Sequence, residues 1–274
     1  MTGDRKLPRI ALLQMNCALG DKSTNLVKAA KMLDGLDEDV DIACLPELFN
    51  TGYNLGGLDE DIFDLAEQIP GGETVRRLRE IAQKYQTGII AGLIEKEPGV
   101  TGLLYDTAVL IEKNGELAGC YRKSHLYPAE NSYFRPGDKL PVFELAGLRV
   151  GLAICFEAAF APIFSTLALK GAQLIANPSA VPVRFEYLQD LRTRARAQDN
   201  QCFVAAVNHV GREGDVTYCG RSQLADPRGE IVAMAVDDQE AVLVAELDFA
   251  LIRNQRLQEP VFRGYRPDLY QFSK

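Results

Sequence analysis

Short apolar runs and longer amphipathic stretches take turns along this chain, and their lengths separate strands from helices. The run PRIALLQM predicts a buried strand over 8–15, with polar Gln14 and Asn16 at its end. Leu26, Ala29, Ala30, Leu33 and Leu36 then recur at the spacing of one helix face, predicting a helix over 25–36. A second strand over 40–45 stops at Pro46, which lacks the N–H that a central ladder needs. Glu47 therefore stands just past a strand end, on connecting backbone where functional side chains commonly emerge.

After the break Pro70-Gly71-Gly72, the stripe Val75, Leu78, Ile81 and Ala82 predicts a helix over 74–85. Strands follow over 88–94, 106–112 and 117–121, the last two divided by the turn pair Asn114-Gly115. Two more, over 142–145 and 149–154, are joined by Ala146-Gly147. Helices over 158–170 and 187–200 alternate with strands over 173–176 and 201–207. Closing strands are expected over 220–225, 230–235 and 240–246. Strands alternating with helices place the helices outside sheets. The fold class expected is α/β, a four-layer α-β-β-α sandwich with helices outside two central mixed sheets. No internal period or linker divides the chain, so 1–274 reads as one domain, with 248–274, rich in Arg and aromatics, as an oligomer-contact tail.

Composition narrows this picture. Of 274 residues, 47% are hydrophobic and 25% charged, enough apolar material for a core that needs no metal or disulfide staple. Acids outnumber bases 38 to 30, and the net charge of −8 argues against nucleic acid as a partner. Cys17, Cys44, Cys120, Cys155, Cys202 and Cys219 include no CxxC pair, and His125 and His209 are the only histidines, so no metal site is expected. The opening MTGDRKLPRIALLQMN has no signal-peptide stretch, and no apolar run reaches bilayer length. The expected setting is cytoplasmic, with reduced thiols and no membrane partner.

Candidate chemistry centres on Cys155. It follows the strand-like RVGLAI and precedes FEAAF, a strand-to-helix junction that exposes a thiol and aims backbone N–H groups at it. A thiol beside an apolar strand is more commonly a small core residue. That reading suits Cys44 in IACL and Cys202 in QCFVAAV, and packing or ordinary exposure accounts for Cys17, Cys120 and Cys219. Glu47 has the chemistry to take the thiol proton, and Lys123 to hold an oxyanion. Taken singly, each also reads as a loop cap or a solvated charge.

Three separated runs decide between these readings: LPELFNTGY, YRKSHLYPAE and GLAICFEAAF. Together they resemble the nitrilase superfamily, specifically its short-chain amidase-like members. The resemblance implies catalytic Glu47, Lys123 and Cys155, spaced 76 and 32 residues apart. It extends through PRIALLQMN, IPGGET, ALKGAQLIANPSA and RARAQDNQCFVAAVN to PVFRGYRPDLY, which resembles a C-terminal arm used in subunit packing. It also implies a thioester mechanism without a cofactor, an oxyanion held by Lys123 and a backbone N–H near Phe156, and a homodimer or larger homo-oligomer.

Glu130 lies near a further active-site glutamate of the relatives, where it would orient Lys123, position water or receive a substrate amino end. Glu157 stands where many amidase-like relatives carry aspartate, while nitrilases often show Cys-Trp-Glu; its expected role is to accept backbone N–H groups behind the site. Tyr53, Phe134 and Asn177 are candidate substrate contacts. His125 is expected to position structure, and His209 to hydrogen-bond a nearby loop. The substrate expected is a small aliphatic or ω-amino-acid amide, with nitrile or N-carbamoyl amine hydrolysis as the alternatives.

Overall fold

Alternation of side chains along the strands builds a layered core. The computed structural model describes residues 7–36, 39–236 and 238–270. In the first sheet β1 (Arg9–Gln14), β2 (Ile42–Cys44) and β3 (Gly88–Lys96) run parallel, and β4 (Leu104–Ile111) and β5 (Leu117–Arg122) continue it antiparallel. In the second, β6 (Val142–Leu145) pairs antiparallel with β7 (Leu148–Leu152), which runs parallel with β8 (Leu174–Ser179) and β9 (Phe203–Asn208). A separate ribbon of β10 (Val210–Glu213) and β11 (Val216–Cys219) follows. Then β12 (Gln223–Ala225) and β13 (Ile231–Met234) complete the second sheet, and β14 (Ala241–Glu246) pairs antiparallel with β1.

Ile10 and Leu12 of β1 face the second sheet and meet Val150, Leu174 and Phe203 in a shared core. Ala11 and Leu13, one residue out of phase, face the opposite way. There they pack with α1 (Lys22–Asp34) and, beyond α2 (Leu55–Leu58) and α3 (Ile62–Leu65), with α4 (Glu73–Tyr85). The second sheet's outer face carries Ile163, Phe164 and Leu167 of α5 (Ala161–Leu169) and Ala197 of α6 (Glu186–Asn200). Both sheets are mixed and helices lie outside both, so the four-layer α-β-β-α arrangement expected from sequence is the one observed. Each Ile or Leu fully buried between layers contributes about 1.5–3 kcal/mol over leaving it exposed.

Three local differences from the sequence reading bear on the site. The strand expected over 149–154 ends at Leu152, and Cys155–Ala159 forms a 3₁₀ turn before α5. Pro162 sits in the first turn of α5, where its missing N–H costs no helix bond, so the helix starts later than its apolar pattern suggested. The β10–β11 ribbon and α7 (Ala250–Gln258) were not anticipated: VGRE and VTYC are short, mixed in polarity and split by Gly214.

Topology sets where the chemistry collects. Because β4 reverses direction and β5 reverses it again, β5 runs the same way as β2 and β3. In the second sheet β7, β8 and β9 run parallel, and the parallel bridge from Met15 to His209 aligns them with β1, so the segments leaving β2, β5 and β7 are directed to one end of the sandwich, the end at which α/β sheets place ligands. They carry Glu47, Lys123 and Cys155.

Candidate active site

Glu47 follows β2 on a loop pressed against β3. Leu45 N–H donates to Ile90 O (2.8 Å) and Phe49 N–H to Gly92 O (3.2 Å). A Cβ on Gly92 would fall 2.6 Å from Leu48 N and 2.8 Å from Glu47 Cα, so only glycine admits this loop so close. Leu48 and Cys155 both take left-handed backbone (φ 45° and 47°), a conformation that costs a non-glycine residue about 1–3 kcal/mol. Strain of this kind flanking two expected catalytic groups fits a site held in a required geometry.

Lys123 is fully buried just past β5, and its N–H donates to Asp106 O (2.8 Å). Its Nζ lies 2.6 Å from Glu47 Oε1, 2.7 Å from Glu130 Oε1 and 3.4 Å from Asp106 Oδ2. Burial works against the ammonium, but Glu47, Glu130 and Asp106 outweigh it and hold its pKa well above the usual lysine value. Glu130 also accepts from Tyr53 Oη and from Tyr127 N–H (2.8 Å). Tyr53 and Glu130 are thus part of one network with Lys123.

Three carboxyls surround one buried ammonium, so the cluster would carry −2 with all of them ionised, a charge that burial disfavours. Burial raises the Asp106 carboxyl well above its ordinary range; Lys123 opposes, while Glu47, Glu130 and a hydrogen bond to Glu47 reinforce. Glu47 Oε2 and both Asp106 oxygens are buried acceptors without a hydrogen-bond partner among the described residues, Asp106 Oδ2 meeting Lys123 Nζ only as an ion pair at 3.4 Å. A proton on Asp106 converts two such acceptors into one hydrogen bond. Asp106 was missed in the sequence because it reads there as one polar residue beginning an apolar strand.

Cys155 is half-buried and opens onto a cavity of about 660 Å³, within the usual size for a small-molecule site. Burial pushes its thiol well up, Glu47 adds to that, and Lys123 and the Ala180 N–H favour the thiolate. Asn177 lines the same cavity and donates Nδ2–H to Ala153 O (2.6 Å) and Cys155 O (3.5 Å), tying β8 to the Cys155 turn. Tyr53 and Phe156 also line it, the Phe156 ring meeting Tyr127 edge-on at 5.4 Å. Phe134, expected as a pocket wall, does not: it is buried with Leu48, Leu55 and Leu104 beneath the loops. Its backbone bridge to Leu104 turns the ring into that cluster.

Two buried acids support the site from behind. Glu157 accepts from Ile154 N–H (2.6 Å), Tyr121 Oη (2.6 Å), Ser124 N–H (2.9 Å), Ser124 Oγ (2.5 Å) and His125 N–H (3.1 Å). One carboxylate thereby clamps the Cys155 turn to the segment carrying Lys123. Burial opposes its ionisation, but donors from His125, Ser124, Tyr121 and Ile154 hold its pKa below the usual glutamate value. Glu213, on the unanticipated ribbon, accepts from Tyr53 N–H (2.9 Å) and Asn54 N–H (2.8 Å) and faces His209 Nδ1 at 3.4 Å. His209 Nε2 lies 2.5 Å from Glu47 O, so the loop that this histidine bonds is the one bearing the expected base.

A half-buried thiol beside a glutamate–lysine pair, on a two-sheet sandwich, defines a cysteine hydrolase. The family model for carbon-nitrogen hydrolases matches residues 9–257, and the chain belongs to that family. It is 35% identical over 266 residues to a nitrilase of Pyrococcus abyssi, covering 96% of this chain and 98% of the relative. It is 33% identical to the human omega-amidase over 279 residues, covering 96% of each. It is also similar to a solved amidase from Nesterenkonia sp. AN1 that carries the acetamide moiety of fluoroacetamide covalently on its active-site cysteine (TM-score 0.78, 25% identity, 94% of this chain and 97% of that one). The protein is a carbon–nitrogen hydrolase of the cysteine-nucleophile type.

Proposed function

We propose that this protein hydrolyses small amides through a thioester on Cys155, releasing ammonia and a carboxylic acid. The observation carrying this reading is the placement of Lys123 Nζ, 2.6 Å from Glu47 and 2.7 Å from Glu130, behind a cavity that Cys155 enters on a left-handed turn. Glu47 takes the Cys155 proton as sulfur adds to the amide carbon. Two of the three Lys123 N–H donors are held by glutamates, and the third, with the Phe156 N–H, stabilises the oxyanion. Glu47 returns the proton to nitrogen, the C–N bond breaks and ammonia leaves. Water, deprotonated by Glu47, then cleaves the thioester and restores the thiol. Glu130 holds Lys123 in position, and the omega-amidase and amidase relatives support the amide branch.

Matched amides and nitriles, followed by ammonia release and intact-protein mass, test this directly. The expected result is ammonia and an acyl adduct with the amide, and neither with Cys155→Ala. Wild-type turnover by Cys155→Ala overturns the nucleophile, and faster hydrolysis of a nitrile than of its amide overturns the amide reading.

The proposal includes a homodimer or larger homo-oligomer in the cytoplasm, with 248–274 as a contact arm on a single 1–274 domain. Supporting the arm's role, Ile252 of α7 packs into the shared core while Leu257, Leu269 and Tyr270 stand 56%, 65% and 52% exposed; 271–274 lie outside the described residues. Light scattering on the full chain would show a dimer or more, and a monomer at micromolar concentration would refute it. Among the described residues, no helix is long and apolar enough to cross a membrane.

A further inference from the structure

Of the two histidines in the chain, His209 is fully buried against the main chain of the expected base. Its Nε2 lies 2.5 Å from Glu47 O, and a carbonyl oxygen only accepts, so Nε2 carries a proton. The other ring nitrogen, Nδ1, faces Glu213 Oε1 at 3.4 Å, and both of these atoms are buried with no hydrogen-bond partner among the described residues. A bare Nδ1 would set two acceptors against each other away from water, a costly arrangement.

Glu213 is not the member of the pair that takes up a proton. Its Oε2 already accepts from Tyr53 N–H (2.9 Å), Asn54 N–H (2.8 Å) and Tyr218 Oη (3.1 Å), donors that favour a carboxylate. Burial opposes its ionisation, but His209 and the Asn54 and Tyr53 N–H groups hold its pKa below the usual glutamate value. Titratable groups meet the ring from several elements. Cys17 approaches from the segment after β1, Glu213 from β10, and Tyr218 from β11 with its ring 5.1 Å away, while the Glu47 main chain closes the remaining side. Burial works against a charged ring, yet Cys17 and Glu213 outweigh it and hold the His209 pKa well above the usual histidine value. Burial, reinforced by Glu213, keeps the Tyr218 phenol protonated.

From this we infer that His209 is a positioning residue of the reaction: a buried imidazolium, held by Glu213, whose Nε2–H fixes the Glu47 main chain while Glu213 fixes the Tyr53–Asn54 backbone. Glu47 is thereby held at both ends, by His209 at its carbonyl and by Lys123 at its carboxylate. Tyr53 and Asn54 line the cavity, as do Val216 and Tyr218 of the ribbon, so one ion pair sets the base and one wall of the site together. Tyr53 Oη in turn donates to Glu130, which ties that wall to the Lys123 network. Removing the ring would leave Glu213 buried as an unpaired charge and release the Glu47 carbonyl. This assignment rests on the reading of Glu47 as the base and deepens it.

Ring-nitrogen NMR on protein carrying isotope-labelled histidine reads the charge directly, and His209→Gln identifies the His209 signals. At about pH 8, where an ordinary histidine has lost its proton, both His209 nitrogens should still carry one. Glu213→Gln, whose amide N–H reaches Nδ1, should leave that nitrogen bare, and Cys17→Ala should not. On propionamide, His209→Gln should lower kcat about tenfold or more with KM changed less than about threefold. In a Glu47→Gln background the same change should cost less than about threefold, because its effect runs through Glu47. A bare Nδ1 in the wild type, a charge that survives Glu213→Gln, an undiminished kcat in His209→Gln, or an equal loss in both backgrounds overturns the assignment. Wild-type turnover of propionitrile and not of propionamide, with the same His209 dependence, removes the amide reading and retains the positioning role. The wild-type spectrum decides the charge even where a variant fails to fold.

Discussion

Asp106 Oδ2 lies 3.4 Å from Lys123 Nζ, and the Asp106 main-chain oxygen accepts the Lys123 N–H at 2.8 Å. A single residue of β4 thus holds the lysine by both its backbone and its ammonium. It also brings a third carboxyl to a cluster with one cation, within 4.8 Å of Glu47 and Glu130.

The protonated state argued for Asp106 predicts asymmetric responses to substitution. Asp106→Asn keeps a donor toward Glu47 and should retain activity within about tenfold, whereas Asp106→Leu should lose about 100-fold or more. The raised carboxyl pKa sets the sign of the pH effect. Its proton adds stability at low pH, and that contribution declines as pH rises from the unfolded value toward the folded one. Above the folded pKa a third charge appears beside Glu47, so wild-type activity should fall there and Asp106→Asn should lack that limb. A pH–rate profile of both proteins checks this.

Glu47→Gln preserves shape and a polar contact with Lys123 but removes the proton carrier. Loss of kcat by about 10²–10⁴-fold is expected, with KM changed far less. Single-turnover kinetics on a neutral amide would separate this from a binding defect.

Gly92→Ala places a methyl 2.6 Å from Leu48 N, where the Glu47 loop is fixed by main-chain bonds and cannot yield cheaply. The change should destabilise the fold by about 1–3 kcal/mol and cut activity more than that alone explains. Urea unfolding and initial rates on the same preparation measure the two effects.

Glu157→Gln removes a carboxylate that accepts five hydrogen bonds. Its folded pKa is lowered, so its contribution is present above the unfolded value near 4.5 and is lost as pH falls through the folded value. We expect a loss of about 1–3 kcal/mol at pH 7 and a flatter stability curve below pH 4.5. Denaturant midpoints between pH 3 and 7 would reveal whether the acid limb shrinks.

Much of this protein is determined by local sequence. Leu26, Ala29 and Leu33 share one helix face because of spacing alone, and Ile10 and Leu12 oppose Ala11 and Leu13 because strand side chains alternate. The same local order placed Glu47 after Pro46 and Cys155 after an apolar strand, and motif resemblance joined them to Lys123. What remained illegible was every contact that depends on which surfaces meet. Asp106 looked like a strand residue, Glu213 lay on a ribbon without a periodic signature, and Phe134 looked free to line a pocket. Gln189 and Arg192 fall in the helix expected over 187–200, where nothing in the sequence singled them out. Only the packing of α6 against the Cys155 turn shows that both face the cavity. Backbone preferences act over a few residues and so can be read along the chain, whereas desolvation and charge pairing depend on neighbours brought close by the fold.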